Sequence, residues 1–216
     1  MSLVNAAFGI LPDWHPTGQI RPTAYVSYGA NDLLLPSGTN VNFYKGMPVK
    51  LSIGSGGAIN GATVATGAMV IAPLTATTDT PLGVFAGIEY VDSTGKPWVQ
   101  NYWPASTTLL AGARQVVYIW DDPEIIYRAQ LDGAPSVGAG YALTGKQLNV
   151  SNFNTGNTLT GLSTTTLSAT VVATASQGQF RIIKLFNDIG NLASDPFPVY
   201  EVKLQLSPFV AAKTSL

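Results

Sequence analysis

Charge is what this chain has least of. Asp, Glu, Lys and Arg make up only 11% of its 216 residues, against about 25% in an ordinary soluble domain. Eleven cations and twelve acids give a net charge of −1, with no basic block. Nucleic-acid binding draws on clustered Lys and Arg to release counterions, so no nucleic-acid partner is expected. Cysteine is absent, which removes disulfides, thiolate metal sites and a cysteine nucleophile. There is one histidine, His15, and any Ser/His/Asp mechanism has to run through it. No apolar run approaches the ~18 residues of a membrane-spanning helix, so no membrane is expected. The opening MSLVNAAFGILPDWHP lacks the basic and long apolar regions of a secretion leader. The sequon Asn149-Val150-Ser151 carries little meaning without secretion. A surface so poor in charge suits a protein covered by neighbours in an assembly better than a free monomer.

Helical patterning is scarce as well. Glycine (22) and proline (14) interrupt nearly every window, leaving few stretches of three helical turns. Period-two runs are plentiful. In VYEVKLQL (199–206), Tyr200, Val202, Leu204 and Leu206 alternate with Glu201, Lys203 and Gln205, as in a strand with one wet face. Ile125, Tyr127, Ala129 and Leu131 share a face opposite Ile126, Arg128 and Gln130. RQVVYIW (114–120) and FRIIKLF (180–186) are apolar on both faces, which places them centrally or under a partner. Further strands are expected over 24–28, 41–44, 47–53, 68–72, 83–91, 97–103, 141–144 and 165–172. A dozen short strands predict an all-β, antiparallel sandwich or barrel.

Three regions differ in character. Residues 1–32 are spaced by Pro and Gly and aperiodic, and read as an extended N-terminal arm. Leu3, Val4, Phe8, Ile10, Leu11 and Trp14 make it too apolar to float in water, so it is expected to lie on something. Residues 33–135 form a β domain. Residues 136–216 form a second β segment sharing or extending the same core, with GAPSVGAG (133–140) as the boundary. Within it, the Thr/Ser/Asn-rich stretch 151–170 is a long loop or a Thr-faced strand pair.

Candidate chemistry is sparse. His15 sits between prolines in PDWHP, a poor setting for an oriented base, and reads as a packing or surface residue. As a metal pair, Asp13 and His15 have no third ligand nearby. Asp121-Asp122-Pro123-Glu124 offers carboxylates for calcium or acid–base work, but more simply makes a turn. The Gly-rich GSGGAINGATVATG (54–67) lacks the Lys-Ser/Thr ending of a phosphate loop and reads as a hairpin tip. No catalytic residue, cofactor or metal is expected, and an enzyme such as a glycosidase is the least favoured reading, because nothing places two carboxylates across a cleft.

The most distinctive stretch is GVFAGIEYVDSTGKPWVQNYWP (83–104), a hairpin carrying Phe85, Tyr90, Trp98, Tyr102 and Trp103. Trp98, Gln100 and Tyr102 share one face; Val99, Asn101 and Trp103 share the other. Aromatics on both faces suggest that one meets the core and the other a partner. A carbohydrate platform, flanked by Asp92, Gln100 and Asn101, is the alternative.

This hairpin, followed by VVYIWDDPEIIYRAQLDG and by FRIIKLFNDIGN…FPVYEVKLQL, resembles virion structural proteins of tailed bacteriophages. The resemblance covers roughly residues 80–206 and rests on spacing and turn residues. KLFNDIGN, where a proline is expected, and the Thr-rich insert depart from the pattern. What it implies is a capsid decoration (cement) protein on the head surface of the virion. Such a protein binds the major capsid protein lattice and itself, often as a trimer, and stabilises the head. Head-completion and tail proteins share these features, and a carbohydrate-binding or adhesin-like domain is a further alternative. The residues expected at the interfaces are Phe8, Leu11, Trp14, Trp98, Tyr102 and Trp103.

Overall fold

The computed structural model describes residues 5–28, 34–35, 38–54, 56–59, 62–63, 65–135, 140–174 and 176–209. In chain order the strands are β1 (Leu11–Trp14), β2 (Thr23–Tyr28), β3 (Phe43–Tyr44), β4 (Pro48–Ile53), β5 (Ala58–Ile59), β6 (Ala62–Thr63), β7 (Met69–Pro73), β8 (Gly83–Val91), β9 (Pro97–Gln100), β10 (Tyr102–Trp103), β11 (Arg114–Trp120), β12 (Ile126–Gln130), β13 (Gln147–Leu148), β14 (Val150–Ser151), β15 (Gly156–Asn157), β16 (Leu162–Ser163), β17 (Thr166–Leu167), β18 (Phe180–Leu185) and β19 (Val199–Leu204). The fold is all-β, and every ladder between these strands is antiparallel. The strand expected over 141–144 is instead a single 3-10 turn, Gly140–Leu143. Leu143 is buried there and its carbonyl accepts the N–H of Lys146 at 3.0 Å, which closes a turn.

Two sheets dominate. One has the order β1-β12-β19-β18-β13; the other runs β2-β11-β8-β4-β7, with β9 also paired to β8. The alternation read from β12 and β19 sets the inner face of the first sheet. Tyr127, Ala129, Tyr200 and Val202 are fully buried, together with Phe180 and Ile182 of β18. These side chains meet Val84 and Trp120 from the second sheet, and Leu74 just after β7, in one core cluster, so the sheets pack face to face as a sandwich. The outer face of β19 is drier than the alternation implies. Glu201 is only 8% exposed and pairs with Lys184 at 3.1 Å.

The second sheet is covered on its other face too. Phe85, Ile88 and Tyr90 of β8 join Val117 and Ile119 of β11, Val49 and Ile71, under Leu35, Phe43 and Trp103. A bulge makes this possible. Tyr118 faces Gly87 while Ile119 faces Phe85, so the extra residue, Ala86, shifts the alternation and returns Ile88 and Tyr90 to the face of Phe85.

The described part of the N-terminal region runs along the two large sheets. Leu11–Trp14 pairs with β12 as an edge strand of the first sheet, and Thr23–Tyr28 pairs over all six residues with β11 as an edge of the second. Its apolar residues therefore lie on the chain's own sheets; Leu3 and Val4 fall outside the described residues. The Thr-rich stretch forms short ladders, β14 with β17 and β15 with β16. It is bound to the rest by Ser163 N–H to the Lys45 carbonyl (2.9 Å) and Lys45 N–H to the Gly161 carbonyl (3.0 Å).

Candidate interaction surfaces

The aromatic hairpin is mostly interior. Trp103 is fully buried, meets Tyr90 edge-on at 5.0 Å and donates its indole N–H to Thr39 Oγ1 at 2.9 Å. That removes it from the residues a partner can touch. Tyr102 is half-buried, stacked on Tyr44 at 5.2 Å, with its hydroxyl donating to Asn42 at 3.0 Å. Trp98 is half-buried too; its N–H donates to Asp92 Oδ2 at 2.8 Å, and the Lys96 ammonium lies 4.0 Å from its ring centroid. A stacking platform on Trp98 would have to displace that cation. Val99 is an apolar hairpin side chain that faces water, 77% exposed.

Asp92 organises the turn. Its carboxylate accepts the Thr94 hydroxyl (2.6 Å), the Trp98 N–H and the backbone N–H groups of Thr94 (2.9 Å) and Lys96 (3.1 Å). The Thr94 and Trp98 bonds hold its pKa well below the usual carboxylate range.

The acidic turn ties β2 and the N-terminal region to the sandwich. Asp121 is buried and accepts the hydroxyls of Thr23 (2.5 Å) and Tyr25 (2.6 Å). Burial, and then the Asp121 carboxylate, push the Tyr25 phenol well above its ordinary value. His15 is buried, with Nε2 3.1 Å from Asp122 Oδ2 and Nδ1 2.8 Å from the Thr17 hydroxyl. The Thr17 backbone N–H also donates to Nδ1 (3.1 Å), which leaves Nε2 as the ring nitrogen facing Asp122. His15 thus pins the end of β1 to the β11–β12 turn.

Two apolar surfaces stand out among the described residues. The first is a cavity of about 450 Å³ lined by Phe8, Leu11, Arg128, Phe186, Ile189 and Asn191, among others. Arg128 stands between the rings of Phe8 (5.9 Å) and Phe186 (5.7 Å). Its Nε is buried without a hydrogen bond among the described residues, and Asp13 lies 3.9 Å away. Asn191 fixes the wall by bonding the carbonyls of Phe186 (2.7 Å) and Val199 (2.8 Å) and the N–H of Val199 (2.9 Å). Ile189 stands at the rim, 98% exposed. A guanidinium set between aromatic faces suits a carboxylate carried on an apolar segment.

The second surface lies where β4 and β7 run beyond the core. Ile53 (71% exposed) stands directly opposite Met69 (55%), with Leu51 (38%) on the same face. Val49 and Ile71, on this face nearer the core, are fully buried, so the apolar stripe runs unbroken from interior to water.

The six expected interface residues therefore do not form one patch. Phe8 and Leu11 meet in the groove; Trp14, 52% exposed, ends β1 opposite Ile126. Trp98 and Tyr102 rest on the second cluster, and Trp103 lies inside it. Arg128, Phe186, Ile189 and the Leu51–Ile53–Met69 stripe were not legible as surface, because period-two alternation alone places Leu51 and Ile53 inward. Comparison with protein-family models, with curated proteins and with solved structures gives no match for this chain.

Proposed function

We propose that this protein is a structural component of a tailed-phage virion, a decoration protein that docks on the major capsid protein lattice and stabilises the head. The observation that carries the reading is the exposed stripe Leu51–Ile53–Met69 on a chain with only 11% charged residues. An apolar stripe continuous with the core is costly to leave in water and favourable to cover. The groove around Arg128 supplies a second contact of different chemistry, and the two together fit a protein clamped between neighbours. The stretches that carry the phage resemblance build β8 to β12, β18 and β19, the framework that presents these surfaces.

The test is co-sedimentation with decoration-free heads, read as copies bound at saturation. Saturable binding at hundreds of copies, in multiples of three per local axis, is the expected result. Binding of about a dozen copies at one vertex points instead to head completion or the tail. No binding at all overturns the virion reading and directs attention to a glycan panel read by tryptophan fluorescence.

A further inference from the structure

We infer that β2 is a self-pairing edge, through which two copies of this chain join their larger sheets antiparallel about a two-fold axis. β2 ends the order β2-β11-β8-β4-β7. All six of its residues pair in regular register with β11 on one side. On the other side no strand and no further backbone hydrogen bond is found among the described residues. In an antiparallel ladder alternate residues point N–H and C=O away from the partner, so about three residues of β2 present both groups outward.

Such an edge invites pairing unless it is blunted, and the other edges of the two large sheets are blunted. β1 carries Pro12 and Asp13 and a register shift; β13 has two residues; β7 ends on Pro73; β9 has four residues and begins on Pro97. β2 reads TAYVSY, with no charge, proline or bulge. Ala24 and Val26 are exposed, and the buried Ser27 Oγ has no hydrogen-bond partner among the described residues.

The occupant follows from charge. A two-fold sets residues of one strand against residues of that same strand, so a charge near the axis would meet its own kind. An uncharged strand is free of that penalty, and an antiparallel edge matches a second copy of itself group for group. Asp121 holds the strand in place through Thr23 and Tyr25, so little ordering is left to pairing. The inference is independent of the virion reading, and a two-fold contact of this kind can link trimers as readily as monomers.

The chain has no cysteine, which makes the test direct. Ala24→Cys and Val26→Cys are oxidised singly and as a mixture, with Val99→Cys, on an exposed hairpin position, setting the collisional background. Facing residues of an antiparallel pair fall within disulfide reach. Sums of 48, 50 and 52 for facing residue numbers are thus each read by one arm. The expected result is a disulfide-linked pair in one arm, forming faster than in the control, and loss of the corresponding mass in solution for Val26→Lys but not for Val26→Thr. Cross-linking no faster than Val99→Cys in every arm, or assembly unchanged in Val26→Lys, overturns the inference.

Discussion

Asp92 and Trp103 show how single side chains fix the hairpin. Four hydrogen bonds converge on the Asp92 carboxylate, and its pKa is held below the ordinary range. Because the folded value lies below the unfolded one, the ionised carboxylate favours the folded turn at every pH above about 4. That contribution is lost only as the pH falls through the depressed folded value. The Trp98 indole N–H resonance should therefore hold its position while exposed carboxylates titrate and move only at more acidic pH; movement in step with an ordinary Asp would show that the bonds do not control the turn. Trp103 is fully enclosed and its N–H is matched to Thr39. Trp103→Ala leaves a cavity and an unpaired hydroxyl, and should cost about 4 kcal/mol in denaturant unfolding. A loss of less than about 1 kcal/mol would mean that the ring is not packed as described.

At the scale of elements, close approach decides which strands can lie together. Gly83 opens β8 where it crosses the end of β11. A Cβ there would come within 2.4 Å of the Trp120 carbonyl oxygen and 2.9 Å of the Asp121 Cα. Both obstacles are backbone, so the strands have to part. Gly83→Ala should destabilise by about 3 kcal/mol and loosen Asp121 from Thr23 and Tyr25, seen as faster amide exchange in β2. Unchanged stability would show that β8 and β11 can separate without cost. The same reasoning explains Gly156, which lies against the Tyr44 ring while Tyr102 stacks on Tyr44. Strand identity along this framework was legible in the sequence, since β4, β8, β11, β12, β18 and β19 all fall on runs of apolar period-two or two-faced pattern. β1 was not, because LPDW has neither alternation nor β-rich composition. It is a strand only because β12 offers it an edge.

For the whole molecule, pairing of the N-terminal region into both sheets changes which experiments can report on assembly. Residues 11–14 and 23–28 close one edge of each sheet, so deleting the first thirty residues removes parts of the fold along with any contact. Point variants on the open surfaces separate the two. Ile53→Lys and Met69→Lys add charge where the side chains already face water. Each should leave thermal stability within about 0.5 kcal/mol of the parent and lower the number of copies retained on decoration-free heads. Retention equal to the parent would remove the β4–β7 stripe from the contact and leave the groove around Arg128 as the remaining candidate.

The sequence by itself determined the all-β class, most strand positions and the inward faces of β12 and β19. Alternation along a strand is a local property of the backbone, and Gly and Pro mark where it stops. It also determined that the acidic turn follows turn chemistry. Only the tertiary structure decided that Leu11 lies beside Arg128, that β2 lies beside β11, and that Trp103 faces inward while Ile53 faces water. Strand pairing and burial are set by partners far away in the chain. An apolar residue records that it avoids water, and the surrounding fold decides whether its own chain or a neighbour provides the cover.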